Sequence, residues 1–135
     1  MEFILYTDGG ARNNPGPAGA GFVIQDEKGK TIAMGKKYLG ERTNNEAEYE
    51  ALILGLKKAL ELGIKEIQVL MDSELVVCQM NRDYKVKDLE LSKLFLKVWN
   101  LASQFKKISY QHIPREKNVL ADELVNKIID ENLKG

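Results

Sequence analysis

Four carboxylates stand where they could do chemistry: Asp8, Glu48, Asp72 and Asp122. The most informative surroundings are those of Glu48, in Thr43-Asn44-Asn45-Glu46-Ala47-Glu48-Tyr49. Thr43 and Glu46 have the spacing of a capping box, in which the hydroxyl accepts from the third amide and the carboxylate reaches back to the cap amide. That gives Glu46 a structural task, and Glu48 has none. At about 100° per residue, Glu48 shares a helix face with Leu52, Gly55, Leu56, Ala59 and Leu62, while Glu46, Glu50, Lys57 and Glu61 fall opposite. A carboxylate at the top of a packed stripe costs free energy unless something cationic meets it.

The elements that must position these acids read as follows. Glu2 to Asp8 alternates as a strand with apolar residues on both sides, which suits a central strand. Gly9 to Pro17 reads as a turn-rich loop. Gly19 to Gln25 and Lys30 to Tyr38 read as strands joined by a turn at Asp26-Glu27-Lys28-Gly29. The small residues Gly19, Ala20 and Gly21 would admit close backbone approach. The helix carrying Glu48 spans about Asn44 to Leu62 and stops at Gly63. Glu66 to Met71 is a short strand leading into Asp72-Ser73, followed by a short helix from about Glu74 to Asn81. After a connector at 83–87, about Asp88 to Gln104 forms an amphipathic helix packed through Leu91, Leu94, Phe95, Val98, Leu101 and Ala102. Ile108 to Ile113 is the fifth strand and 114–117 a loop. Asn118 can cap a last helix running to about Asn132, packed through Ala121, Leu124, Val125 and Ile128. Three strands in hairpins, then alternating helix and strand, argue for an α/β fold: a five-stranded mixed sheet flanked by helices, in one domain over 1–135.

In such a sheet, ligands gather at the carboxyl ends of parallel strands. Asp8 and Asp72 each end a strand in this reading, Glu48 tops the helix between them, and Asp122 sits in the first turn of the last helix. Singly, an Asp after a strand is an ordinary turn former or helix cap. Together, carboxylates without a local basic partner would repel one another, and hard divalent cations resolve the repulsion. Mg²⁺ favours such oxygen ligands while keeping waters and substrate phosphates. Two ions roughly 3.5–4 Å apart form a site for phosphodiester displacement.

Composition sets the bounds. At 135 residues the chain buries enough surface to fold without a staple, and the lone Cys78 excludes an internal disulfide. A reducing cytoplasmic setting is expected. No apolar run is long enough for a membrane, and no signal peptide is read ahead of Glu2-Phe3-Ile4. Net charge is zero, from 20 basic and 20 acidic residues, which argues against strong, indiscriminate nucleic-acid binding but not against catalysis on nucleic acid.

Tyr6-Thr7-Asp8-Gly9-Gly10 with Asn14-Pro15-Gly16, Thr43-Asn44-Asn45 through Glu48, Asp72-Ser73, and Asn118 through Ala121-Asp122 together resemble type 1 ribonuclease H over about Glu2 to Leu133. The resemblance implies the ribonuclease H-like fold. It implies that Asp8, Glu48, Asp72 and Asp122 bind two Mg²⁺ ions, for which Mn²⁺ can substitute. It further implies cleavage of the RNA strand of an RNA–DNA hybrid, leaving a 5′-phosphate and a 3′-hydroxyl, by a monomer. Gly9, Gly10, Asn14, Asn44 and Asn45 would sense the 2′-hydroxyl that separates RNA from DNA. Arg42 and Thr43 would meet phosphate.

The chain departs from many relatives in three ways. The stretch from Met80 to Leu89 is brief where they carry a basic insertion, with only Arg82, Lys85 and Lys87. At their phosphate pocket Thr43 is kept, but Glu41 stands in the Arg place, with Arg42 adjacent, and Asp88 in the Asn place. Where they have a mobile His before the last Asp, the only histidine here, His112, reads as a strand-end residue, and Arg115 in the following loop is the candidate for contact with the scissile phosphate. Other readings are a non-catalytic module on the same fold, an actin-like ATPase half, and a same-fold nuclease acting on RNA duplex or DNA. Retention of all four acids opposes the first, and 135 residues hold only one of the two domains the second needs.

Overall fold

The computed structural model describes residues 2–134; the domain bounds at Met1 and Gly135 lie outside them. In chain order the elements are β1 (Phe3–Ala11), β2 (Gly16–Gln25), β3 (Thr31–Arg42), α1 (Asn44–Glu61), β4 (Glu66–Met71), α2 (Glu74–Met80), α3 (Leu89–Ala102), β5 (Lys107–His112), a 3₁₀ turn (Arg115–Lys117) and α4 (Val119–Leu133). The five strands form one sheet in the order β3-β2-β1-β4-β5. β1 lies at its centre, antiparallel to β2 and parallel to β4, and β4 is parallel to β5.

Helices cover both faces. A β-carbon built on Gly55 of α1 would meet Leu5 and Phe22, so α1 packs on the face those residues present. Gly19 and Gly21 bracket the opposite face of β2, and there a β-carbon would come within 2.8 Å of Ile128 and 2.9 Å of Leu124 on α4. The small residues of β2 thus let α4 settle close to the sheet. The main core lies on the α1 side, where Leu5, Ile24, Tyr49, Leu52, Leu56, Ile67, Val69, Met71, Val76 and Val98 are fully enclosed. Leu62 does not join it. The helix proper ends at Glu61, and Leu62 is a half-exposed C-cap.

The structure corrects the sequence reading at three strand ends. β1 does not stop at Asp8, and Gly9 to Pro17 is not all loop. Gly9, Gly10 and Ala11 pair with Ala20, Gly19 and Ala18, leaving a turn only at 12–15. β3 runs beyond Tyr38 to Arg42, because its end pairs with the start of β2 across a bulge beside Ala18. Gly40, at φ +74, supplies the left-handed backbone there.

Candidate active site

The register of the sheet brings the first two acids together. Thr7 pairs with Met71 in the last step of the parallel β1–β4 ladder. Asp8, still on β1, and Asp72, just past the end of β4, are the next residues. Asp8 is therefore not at a strand end, but it is where β1 loses its parallel partner. Ser73 then turns the chain into α2, its hydroxyl accepting from Val76 N–H.

Glu48 arrives from α1. The capping box forms as its residue types require: Thr43 Oγ1 accepts from Glu46 N–H, and Glu46 Oε1 accepts from Thr43 N–H. Glu46 is occupied, and Glu48 two residues on is buried. Gly9 N–H donates to Glu48 Oε1 at 2.8 Å. Here β1 and the start of α1 touch backbone to backbone, since a β-carbon on Gly9 would lie 2.1 Å from the carbonyl oxygen of Ala47. Oxygens of Asp8, Glu48 and Asp72 lie within 4.8 Å of one another. Asp122, half-buried in the first turn of α4, lines the same cleft of about 460 Å³.

This crowding disfavours negative charge. Burial, then the neighbouring Asp72 and Asp122 carboxyls, push Asp8 up to about 8. Burial, then Asp8 and Asp72, raise Glu48 well above the usual carboxylate range, against the opposing pull of the Gly9 amide. Among the described residues, the cation paired with one of these acids is Arg115, whose Nη2 lies 3.5 Å from Asp122 Oδ1 at the end of a largely exposed side chain. Such a site fits hard divalent cations: it offers converging oxygen donors whose burial and mutual repulsion a cation would offset.

Gly9, Gly10, Asn44 and Arg115 line the cleft with the four acids. Asn14, Arg42, Thr43 and Asn45 stand outside its lining. Asn14 Oδ1 accepts from Asn44 N–H at 2.9 Å, and Asn44 Oδ1 from Ala11 N–H at 2.8 Å, so the two asparagines knit the β1–β2 turn to α1. Arg42 lies 3.7 Å from Glu50. Asp88 caps α3, accepting from Leu91 N–H. His112 ends β5, exposed and outside the cleft.

The sequence reading passed over Arg12 and Asn126, which also line the cleft. Arg12 reaches from the β1–β2 turn to Asp130 and Asn126 on α4. Asn126 lies one helical turn after Asp122, and that spacing was the available signal. Asn118 is a correction. It precedes α4 but does not cap it through its side chain, which is buried against β1 and donates to the carbonyl oxygen of Thr7 at 2.8 Å.

A family model described as reverse transcriptase-like matches residues 6–128. A bifunctional protein of Mycobacterium tuberculosis is 47% identical over 131 residues, which cover 96% of this chain and 36% of that protein. The chain thus spans about a third of that relative's length. The solved N-terminal ribonuclease H domain of a Mycobacterium tuberculosis protein, fused to maltose-binding protein, has a TM-score of 0.96 at 44% identity, covering 99% of this chain and 97% of that one. A ribonuclease H1 solved in complex with an RNA/DNA hybrid has a TM-score of 0.93 at 51% identity, covering 97% of this chain and 99% of that one. With the strand order, the carboxylate cluster and these near-complete overlaps in agreement, the chain belongs to the type 1 ribonuclease H family, within the reverse transcriptase-like group.

Proposed function

We propose that the chain, acting as a monomer, hydrolyses the RNA strand of RNA–DNA hybrids to 5′-phosphate and 3′-hydroxyl ends. Two divalent cations would serve it, Mg²⁺ by preference with Mn²⁺ able to substitute, held by Asp8, Glu48, Asp72 and Asp122. The observation that carries this reading is the mutual approach of Asp8, Glu48 and Asp72 oxygens to within 4.8 Å, with Asp122 in the same cleft. When bound, such ions supply Lewis-acid activation of a water and neutralisation of charge at the phosphate.

The remaining work falls to the chain's own groups. Asp8 and Glu48, whose charged forms are disfavoured by burial and by the neighbouring carboxylates, would hold the cations through their carboxylate oxygens. Arg115, free to swing on an exposed side chain, contacts a phosphate oxygen. Gly9 and Gly10 present backbone at the cleft floor. Asn14 and Asn44 have their Oδ1 atoms committed to backbone amides, which leaves their Nδ2 donors, with Asn45, for the minor groove and its 2′-hydroxyls. Arg42 and the Thr43 turn lie beside that groove and meet the phosphate backbone. Among the described residues no helix is long and apolar enough to cross a membrane.

The test is a panel of labelled RNA–DNA hybrid, RNA duplex, DNA duplex and single-stranded RNA, each with Mg²⁺ or Mn²⁺. Cleavage of hybrid far ahead of DNA duplex is expected. No cleavage with either metal, or DNA cut as fast as hybrid, would refute the proposal.

A further inference from the structure

Outside the acidic cluster, Asn118 is a buried polar residue that joins two of the elements carrying the acids. It is 1% exposed. Its side chain spans from the start of α4 to the centre of the sheet, where Nδ2 donates to the carbonyl oxygen of Thr7 at 2.8 Å. That carbonyl belongs to the peptide joining Thr7 to Asp8. The backbone of Asn118 serves the other side of the cleft: its carbonyl oxygen accepts from Asp122 N–H at 3.1 Å, and its N–H donates to the carbonyl oxygen of Arg115 at 2.9 Å. Its Oδ1 is buried without a hydrogen-bond partner among the described residues. Burying an amide with one end unpaired costs free energy, so packing alone does not account for an Asn here.

We infer that Asn118 is a positioning residue. By tying the Thr7–Asp8 peptide to the first turn of α4, it holds Asp8 and Asp122 at the separation that cation binding requires and sets the base of the Arg115 turn. The inference rests on the proposed reading of the site as a cation-dependent one. Two acids come from segments more than a hundred residues apart in sequence, and this one side chain joins their backbones directly. Partners that orient metal ligands typically change metal affinity or activity by about 10–100-fold when removed.

Asn118→Ser separates this role from a merely structural one. Serine is among the best residues at a helix start, so α4 is kept. Its hydroxyl ends one bond short of Nδ2 and cannot make the Thr7 bond. Asn118→Ala and the remote core variant Val98→Ala accompany it; Val98 is fully buried in α3. The measurements are melting temperature, Mn²⁺ affinity by calorimetry without substrate, and kcat and KM on one hybrid.

Asn118→Ser should melt roughly 3–10 °C below the parent for the loss of one buried hydrogen bond, bind Mn²⁺ about tenfold more weakly, and lose about 10–100-fold in kcat with KM changed less than about twofold. Val98→Ala should melt lower yet keep the parent's Mn²⁺ affinity and kcat. Asn118→Ser with parental Mn²⁺ affinity and kcat would overturn the inference. So would an Asn118→Ala whose losses match those of Val98→Ala. If the parent binds Mn²⁺ and Asn118→Ser binds it weakly, but neither cuts any substrate, the positioning stands and the ribonuclease reading fails.

Discussion

Replacing Gly9 by Ala tests the contact on which the cleft is built. The added β-carbon would sit 2.1 Å from the carbonyl oxygen of Ala47 and 2.6 Å from the nitrogen of Glu48, both backbone atoms. Neither can rotate away, so β1 and the start of α1 must separate by roughly 1 Å to restore a normal contact distance. Forcing a well-packed interior apart costs about 1–3 kcal/mol. Weakening the Gly9 N–H bond to the buried Glu48 carboxylate adds about 1.5–3 kcal/mol. The sum, about 2.5–6 kcal/mol, is a large share of the about 5–15 kcal/mol that holds such a domain together. It should lower the melting temperature by roughly 10–20 °C. Gly10 is the matched control, since a β-carbon there meets only Val125 Cγ1 at 3.9 Å. Gly10→Ala should change stability by less than about 0.5 kcal/mol. Melting of both variants without metal is the assay, followed by hybrid cleavage for Gly9→Ala at a temperature where it is folded. A carboxylate moved about 1 Å should cost about 100-fold in turnover. Gly9→Ala melting within about 2 °C of the parent, or turning over at the parental rate, would show that the close approach does not hold the site together.

Other expectations follow from the same geometry. Asp8 is raised from its ordinary 3.8 to about 8 in the folded protein. Its contribution to metal-free stability is therefore fully present below about pH 4 and lost as pH rises through about 8. Asp8→Asn should abolish metal-dependent cleavage and melt above the parent at pH 8–9 without metal; a lower melting temperature there would contradict the repulsion argument. Glu48→Gln should lose nearly all activity in the cleavage assay, while Glu46→Gln keeps most of it because Gln can still close the capping box. The reverse pattern would mean that the wrong glutamate faces the cleft. Arg115→Ala should lower turnover by about 10–100-fold, or about 1.4–2.7 kcal/mol, and His112→Ala should change neither turnover nor melting, because His112 is exposed and outside the cleft. Steady-state kinetics and melting of the pair decide between them.

What could be read from the sequence was what local rules control. The capping box and the helical period placed Glu46 and Glu48 on different sides because both depend on residues within one or two turns. The run Gly9-Gly10-Ala11 could not be read the same way. Three small residues with little strand tendency look like loop, and only pairing with the equally small Gly19 and Ala20 makes them strand. That extension matters to function. It keeps Gly9 in a rigid ladder while its missing side chain admits the α1 backbone, so Asp8 on one residue and the amide that holds Glu48 on the next are fixed together. The role of Asn118 was equally hidden, because an Asn before a helix is by local rule a cap, and the bond to Thr7 crosses 111 positions of sequence. Asp8 and Glu48 are drawn together across one glycine and Asp8 and Asp122 across one asparagine. Each depends on a residue that carries no charge. A carboxylate cluster that repels itself is held here by neutral groups, and that is why the residues shaping this cleft were harder to see in sequence than the acids that line it.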